Sequence, residues 1–174
     1  MKIIKTLVVG CLFLFAIVQA ETQYPKTITF AEQTYFHAFE GENSSKNVFV
    51  VEYLPQGEAL ETFNQMVTYS ELKMVKAKDI EAYFSTMAKD TTQPFFSKTY
   101  YSGKDASRGE YYLIKMGISG DMTEYMIFRF MVKDDHVAYY LYSDRSYHGL
   151  TDEWMDKVTR EGKQWLNDIR ELEI

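Results

Sequence analysis

Between Glu110 and Ser143 apolar and polar residues alternate in three runs separated by short polar turns. Met122, Met126, Phe128, Phe130 and Val132 share one parity of the middle run. Thr123, Tyr125, Ile127, Arg129, Met131 and Lys133 share the other. A period of two predicts strands over Tyr111–Ile118, Met122–Lys133 and Val137–Ser143, turning at Ser119-Gly120-Asp121 and at Asp134-Asp135-His136. Both parities carry large side chains, so each face of this meander should be at least partly covered.

Upstream, Thr27–Phe39 alternates loosely, with Ile28, Phe30 and Tyr35 in one set and a bulge or turn expected at Glu32-Gln33. Gly41 to Asn47 has loop composition, and Asn47–Leu54 reads as the second arm of an N-terminal hairpin. Leu54-Pro55-Gln56-Gly57 is a turn, since proline pre-sets φ at its second position. It leads into an amphipathic stretch, Leu60, Phe63, Met66 and Val67, that predicts a helix. The region Val67–Val75 fits helix, strand or both. Ile80, Tyr83, Phe84, Met87 and Ala88 mark a second helix capped by Asp79 and stopped by Asp90–Pro94. Phe95–Ser102 reads as a strand, followed by a polar loop Gly103–Gly109.

After Tyr147-His148-Gly149 a long helix is expected. Thr151 is its N-cap, Asp152 and Glu153 occupy its first turn, and Trp154, Val158, Trp165, Ile169 and Leu172 form its apolar stripe with Met155 and Leu166. Gly162 costs such a helix about 1 kcal/mol relative to alanine, which points to a close approach to the sheet. The fold class is α+β: an antiparallel meander and an N-terminal hairpin packed against helices, in one domain.

The first twenty residues change the picture. Lys2 and Lys5 precede an uncharged apolar run, Leu7 to Val18, and Val18-Gln19-Ala20 ends it. This is the layout of a secretory leader cut between Ala20 and Glu21, with a core shorter than the roughly 20 residues of a spanning helix. The alternative, a lipoprotein cut at Cys11, leaves seven apolar residues on the mature chain. Cleavage after Ala20 leaves one domain, residues 21–174, secreted or periplasmic in a bacterial setting and with no stable membrane insertion. Cys11 is the chain's one cysteine, so the mature chain has no thiol, disulfide or thiolate ligand. Loss of Lys2 and Lys5 takes the net charge from −6 to −8, which argues against nucleic acid as a partner.

Candidate chemistry is sparse. Gly117-Ile118-Ser119-Gly120 lacks the spacing and the following helix of a nucleophile elbow, and reads as a hairpin turn. Asp134-Asp135-His136 reads as solvated turn residues. His37, His136 and His148 form no zinc pattern, so no metal is expected. No phosphate-binding glycine loop occurs, and no cofactor is expected. Asn43-Ser44-Ser45 matches a glycosylation sequon.

The tyrosines stand out: Tyr100, Tyr101, Tyr111, Tyr112, Tyr139, Tyr140, Tyr142 and Tyr147 all lie on or beside the expected sheet. They form either ordinary cross-strand packing or a tyrosine-lined face for a partner. Arg129 either stacks on that layer, pairs with a carboxylate or snorkels to the surface. The candidate binding residues are therefore Tyr100, Tyr112, Arg129, Tyr140 and Tyr142. The element order across Thr27–Leu172, with Tyr53-Leu54-Pro55-Gln56-Gly57-Glu58 before the first expected helix, resembles the Mog1/PsbP-like α/β sandwich proteins. That resemblance implies an assembly factor or an accessory and binding protein, and transfers no site residues. The expected function is an exported, non-catalytic accessory domain that binds a protein partner or a small ligand. The alternatives are an exported hydrolase whose acids and histidines converge only in three dimensions, and a subunit of a surface or secretion assembly.

Overall fold

The computed structural model describes residues 24–43, 46–91 and 96–174. The leader with Cys11 and its cleavage point, Ser44-Ser45 of the sequon, and Thr92–Pro94 of the expected helix stop lie outside the described residues. Eight strands form one wholly antiparallel sheet: β1 (Thr27–Phe30), β2 (Gln33–Asn43), β3 (Val48–Pro55), β4 (Gln65–Lys76), β5 (Phe96–Asp105), β6 (Glu110–Ser119), β7 (Met122–Lys133) and β8 (His136–Ser146). Their spatial order is β1-β2-β3-β4-β8-β7-β6-β5. Two four-stranded meanders thus meet at the β4–β8 pair, leaving β1 and β5 at the edges. Helix α1 (Ile80–Met87), entered through a 3₁₀ turn at Ala77–Asp79, joins them, and α2 (Asp152–Glu171) closes the chain.

The period-two reading of the central meander holds, with its two tight turns. Its two parities belong to two separate cores. Tyr125, Ile127, Tyr140 and Tyr142 pack with Trp154, Val158, Trp165 and Ile169 of α2. Tyr111, Leu113, Phe128, Phe130 and Val137 pack with Ile80, Tyr83, Phe84 and Met87 of α1. Each face of the sheet therefore carries one helix. Trp154 and Trp165 are both buried, and the Thr151 hydroxyl accepts from the Trp154 amide as the N-cap.

The helix expected over Leu60–Val67 does not form. Residues 56–64 are turns and irregular backbone, and β4 starts at Gln65. The β-branched and aromatic run Val67-Thr68-Tyr69 takes the central position beside β8, where every residue from Thr68 to Leu72 is buried. Leu60, Phe63 and Met66 still meet, around Leu54, without helical backbone. The expected strand Thr27–Phe39 is two strands, broken at Ala31-Glu32, where both residues take positive φ (49° and 61°). The N-terminal hairpin is accordingly a three-stranded meander, and β2 runs through the expected loop to Asn43. Strand β5 continues to Asp105, past the expected boundary at Ser102. Asp79 precedes α1, but its side chain makes no capping hydrogen bond, because the 3₁₀ turn already leads into the helix.

Each helix ends on a cation supplied by the sheet face beneath it. Lys115 of β6 donates to the carbonyls of Met87 (2.9 Å) and Lys89 (2.8 Å) at the end of α1. Arg129 of β7 donates to Leu172 (2.8 Å) and Ile169 (3.3 Å) at the end of α2. These carbonyls have no partner within their own helices and carry its negative end. The N-terminal half of α2 is pinned by Asp144 of β8, which is buried and accepts from Trp154 Nε1 (2.7 Å), Lys157 Nζ (2.5 Å) and Gln65 Nε2 (3.1 Å).

Candidate functional site

The tyrosine layer separates into buried and open members. Tyr112, Tyr140 and Tyr142 are each at most 3% exposed, and Arg129 is 3% exposed. Tyr142 lies against Trp165 (5.0 Å between ring centroids) and Phe30 (4.6 Å). The Tyr140 hydroxyl accepts from the Ile174 amide, and its ring lies under the Arg129 guanidinium at 5.4 Å. Tyr112 donates to Glu110 and is covered by Arg170. Arg129 also binds Glu110 at 2.6 Å, so it both stacks on a tyrosine and pairs with a carboxylate. These four side chains are packing beneath α2. Tyr100, at 55% exposure, is the candidate left open to solvent.

Tyr100 belongs to a groove of about 330 Å³ between α2 and the outer strands of the second meander. Helix α2 lies over β7 and β8, so on this face β5 and β6 extend past it as a ledge. Ile114 and Met116 of β6 and Tyr125 of β7 form the floor, Tyr100 and Tyr101 the outer rim, and Met155, Val158, Thr159, Gly162, Lys163 and Leu166 the helical wall. Strict alternation would send Tyr100 and Tyr101 to opposite faces. A bulge prevents this: Thr99 pairs with Lys115 and Tyr101 with Ile114, leaving Tyr100 as the extra residue. Both tyrosines therefore line the same groove, the re-aiming that bulges impose. Gly103 leaves room for the Tyr101 ring, which a β-carbon there would meet.

The groove has few polar groups. The Tyr125 hydroxyl has no hydrogen-bond partner among the described residues, and burial raises its pKa above the ordinary tyrosine value. Tyr100 makes a long contact from its hydroxyl to the Met116 sulfur (3.9 Å). Lys98 lies 5.7 Å from the Tyr100 ring centroid, and Lys163 stands on the helical wall. None of the three histidines lines this groove. The larger hollow of about 680 Å³ beside Thr151–Glu161 is lined by residues from the N-cap and first turns of α2 only, with no opposing wall.

The other polar clusters are structural. Glu71 accepts from Lys133 (2.6 Å) and Tyr69 (2.9 Å), with His136 Nε2 at 3.4 Å. Burial pushes its pKa up, but the Lys133 and Tyr69 hydrogen bonds and the nearby charges of Lys133 and His136 outweigh burial and hold it below the ordinary value. His37 lies 3.5 Å from Glu40 on its own strand. Among the described residues no three His, Cys, Asp or Glu side chains converge to hold a metal ion. No helix among them is long and apolar enough to cross a membrane.

Sequence reasoning singled out Tyr100, and noted Tyr101 and the close approach at Gly162. It missed Ile114, Met116, Tyr125 and Lys163, because they come together only through the pairing of β5 with β6 and the lie of α2. A protein-family model matches residues 22–174, and the chain belongs to that family. No curated protein matches the sequence.

Proposed function

We propose that the protein is an exported, non-catalytic accessory domain whose binding site is the groove between β5, β6 and α2. The observation that carries this reading is the β5 bulge, which turns two tyrosines onto one groove and leaves Tyr100 and Tyr101 40% or more exposed. Rigid aromatic walls over an apolar floor favour binding, and tyrosine supplies contact area at low entropic cost. Export is supported by the leader-like pattern of residues 1–20. The resemblance in element order to the Mog1/PsbP-like proteins supports an accessory role over a catalytic one.

The test uses anilinonaphthalene sulfonate as probe. Its fluorescence should rise on mixing with the native protein, and Tyr100→Ala/Tyr101→Ala should lose most of that rise while keeping the thermal midpoint within a few degrees. An equal rise in the variant would place the probe elsewhere and remove the groove as the site.

A further inference from the structure

We infer that the groove takes a free, single-chain anionic amphiphile: an aliphatic or aryl body carrying one carboxylate. This rests on the groove being the binding site and adds the chemistry of its occupant. Shape sets the first limit. The groove, about 330 Å³ and open to solvent along its length, is a single trough in which one chain can lie. The lining sets the second. Ile114, Met116, Met155, Val158 and Leu166 offer nothing to a polar body, and thioethers adapt to irregular apolar shapes.

Charge sets the third limit. The chain is acidic, with net charge −6, yet no Asp or Glu lines the groove and Lys163 does. Lys98 stands over the Tyr100 rim. Neither ammonium group makes an ion pair among the described residues, whereas Lys157 on the same helix is bound to Asp144. The Tyr125 hydroxyl, seated against Gly162 beside Lys163, is a donor at the groove floor. A carboxylate placed at the Gly162-Lys163 turn would accept from Tyr125 and neutralise Lys163, leaving its chain along the methionines. A cationic ligand would meet two ammonium groups, and a neutral one would leave them unanswered.

Calorimetric titration of the protein with decanoate and decyltrimethylammonium below their micelle-forming concentrations, and with decanol below its solubility limit, tests this. Decanoate should bind at least about tenfold more tightly than decanol, the ratio expected of a charge-assisted contact, and decyltrimethylammonium most weakly. Lys98→Gln/Lys163→Gln should abolish the preference by weakening decanoate to the level of decanol, and Tyr125→Phe should weaken decanoate several-fold. Equal binding of decanoate and decanol would overturn the inference and leave the groove reading intact. So would binding of the dye without any decyl compound, or sedimentation with phosphatidylglycerol vesicles without binding of free decanoate. Failure of dye and decyl compounds alike would remove both.

Discussion

The hydroxyl of Tyr125 stands over Gly162, 2.7 Å from the position a β-carbon on that glycine would take. Here α2 comes close enough to the sheet that a tyrosine tip fills the space of a side chain. The glycine is thus the complement of the tyrosine, and it keeps that hydroxyl at the floor of the groove.

A double-mutant cycle should show the coupling. Alanine raises helix propensity by about 1 kcal/mol over glycine, but in the native protein it must displace a rigid ring, and overpacking costs about 1–3 kcal/mol. Gly162→Ala should therefore be neutral to destabilising alone. In a Tyr125→Phe background, where the nearest ring carbon lies at 3.3 Å, it should become stabilising. Urea unfolding of the four proteins gives the interaction term, and simple additivity would contradict the contact.

The end of α2 depends on Arg129, which joins Glu110 to the last helical carbonyls. Breaking a buried pair by removing one charge costs about 3–5 kcal/mol, since its partner stays buried and unpaired. Arg129→Met should lose stability on that scale and loosen residues 169–174 in amide exchange. Adding Glu110→Gln should recover part of the loss. A loss below about 1 kcal/mol would mean that the C-terminus of α2 is held by packing alone.

Acid sensitivity should trace in part to Glu71. Its folded pKa lies below the ordinary 4.5, so its contribution is fully present above that value and is lost as pH falls through the lowered folded value. The stability difference between the native protein and Glu71→Gln should stay constant above about pH 6 and shrink below pH 4.5. Denaturant midpoints measured across this range decide it, and a gap unchanged down to pH 3 would contradict the Lys133–Glu71–Tyr69 contacts.

The central meander, α1 and α2 were legible because their periods of two and 3.6 run long and unbroken, as in Met122–Lys133 and in Trp154 to Ile169. Leu60–Val67 misled because four apolar residues at helical spacing also fit a turn that collapses onto Leu54. What followed was decided by the place of β4 at the centre of the sheet, which no local pattern states. The site was less legible still. Tyr112, Tyr140 and Tyr142 carry the same letter as Tyr100 and Tyr101, and only the position of α2 separates packing from surface. The bulge at Tyr100 is a property of its pairing with β6, and two adjacent tyrosines in sequence do not announce it. Arg129 was legible as a stacking or pairing residue, yet its role at the end of α2 required a helix forty residues away.

The most direct measurement is methionine-methyl NMR of the protein titrated with anilinonaphthalene sulfonate. Met116 lies in the floor of the groove and Met155 in its helical wall, and Met126 packs with the core under α1 on the other face. The account predicts saturable shifts at Met116 and Met155, a still Met126, and loss of the shifts in Tyr100→Ala/Tyr101→Ala. Shifts centred on Met126, or none at Met116 and Met155 while the dye binds, would contradict it.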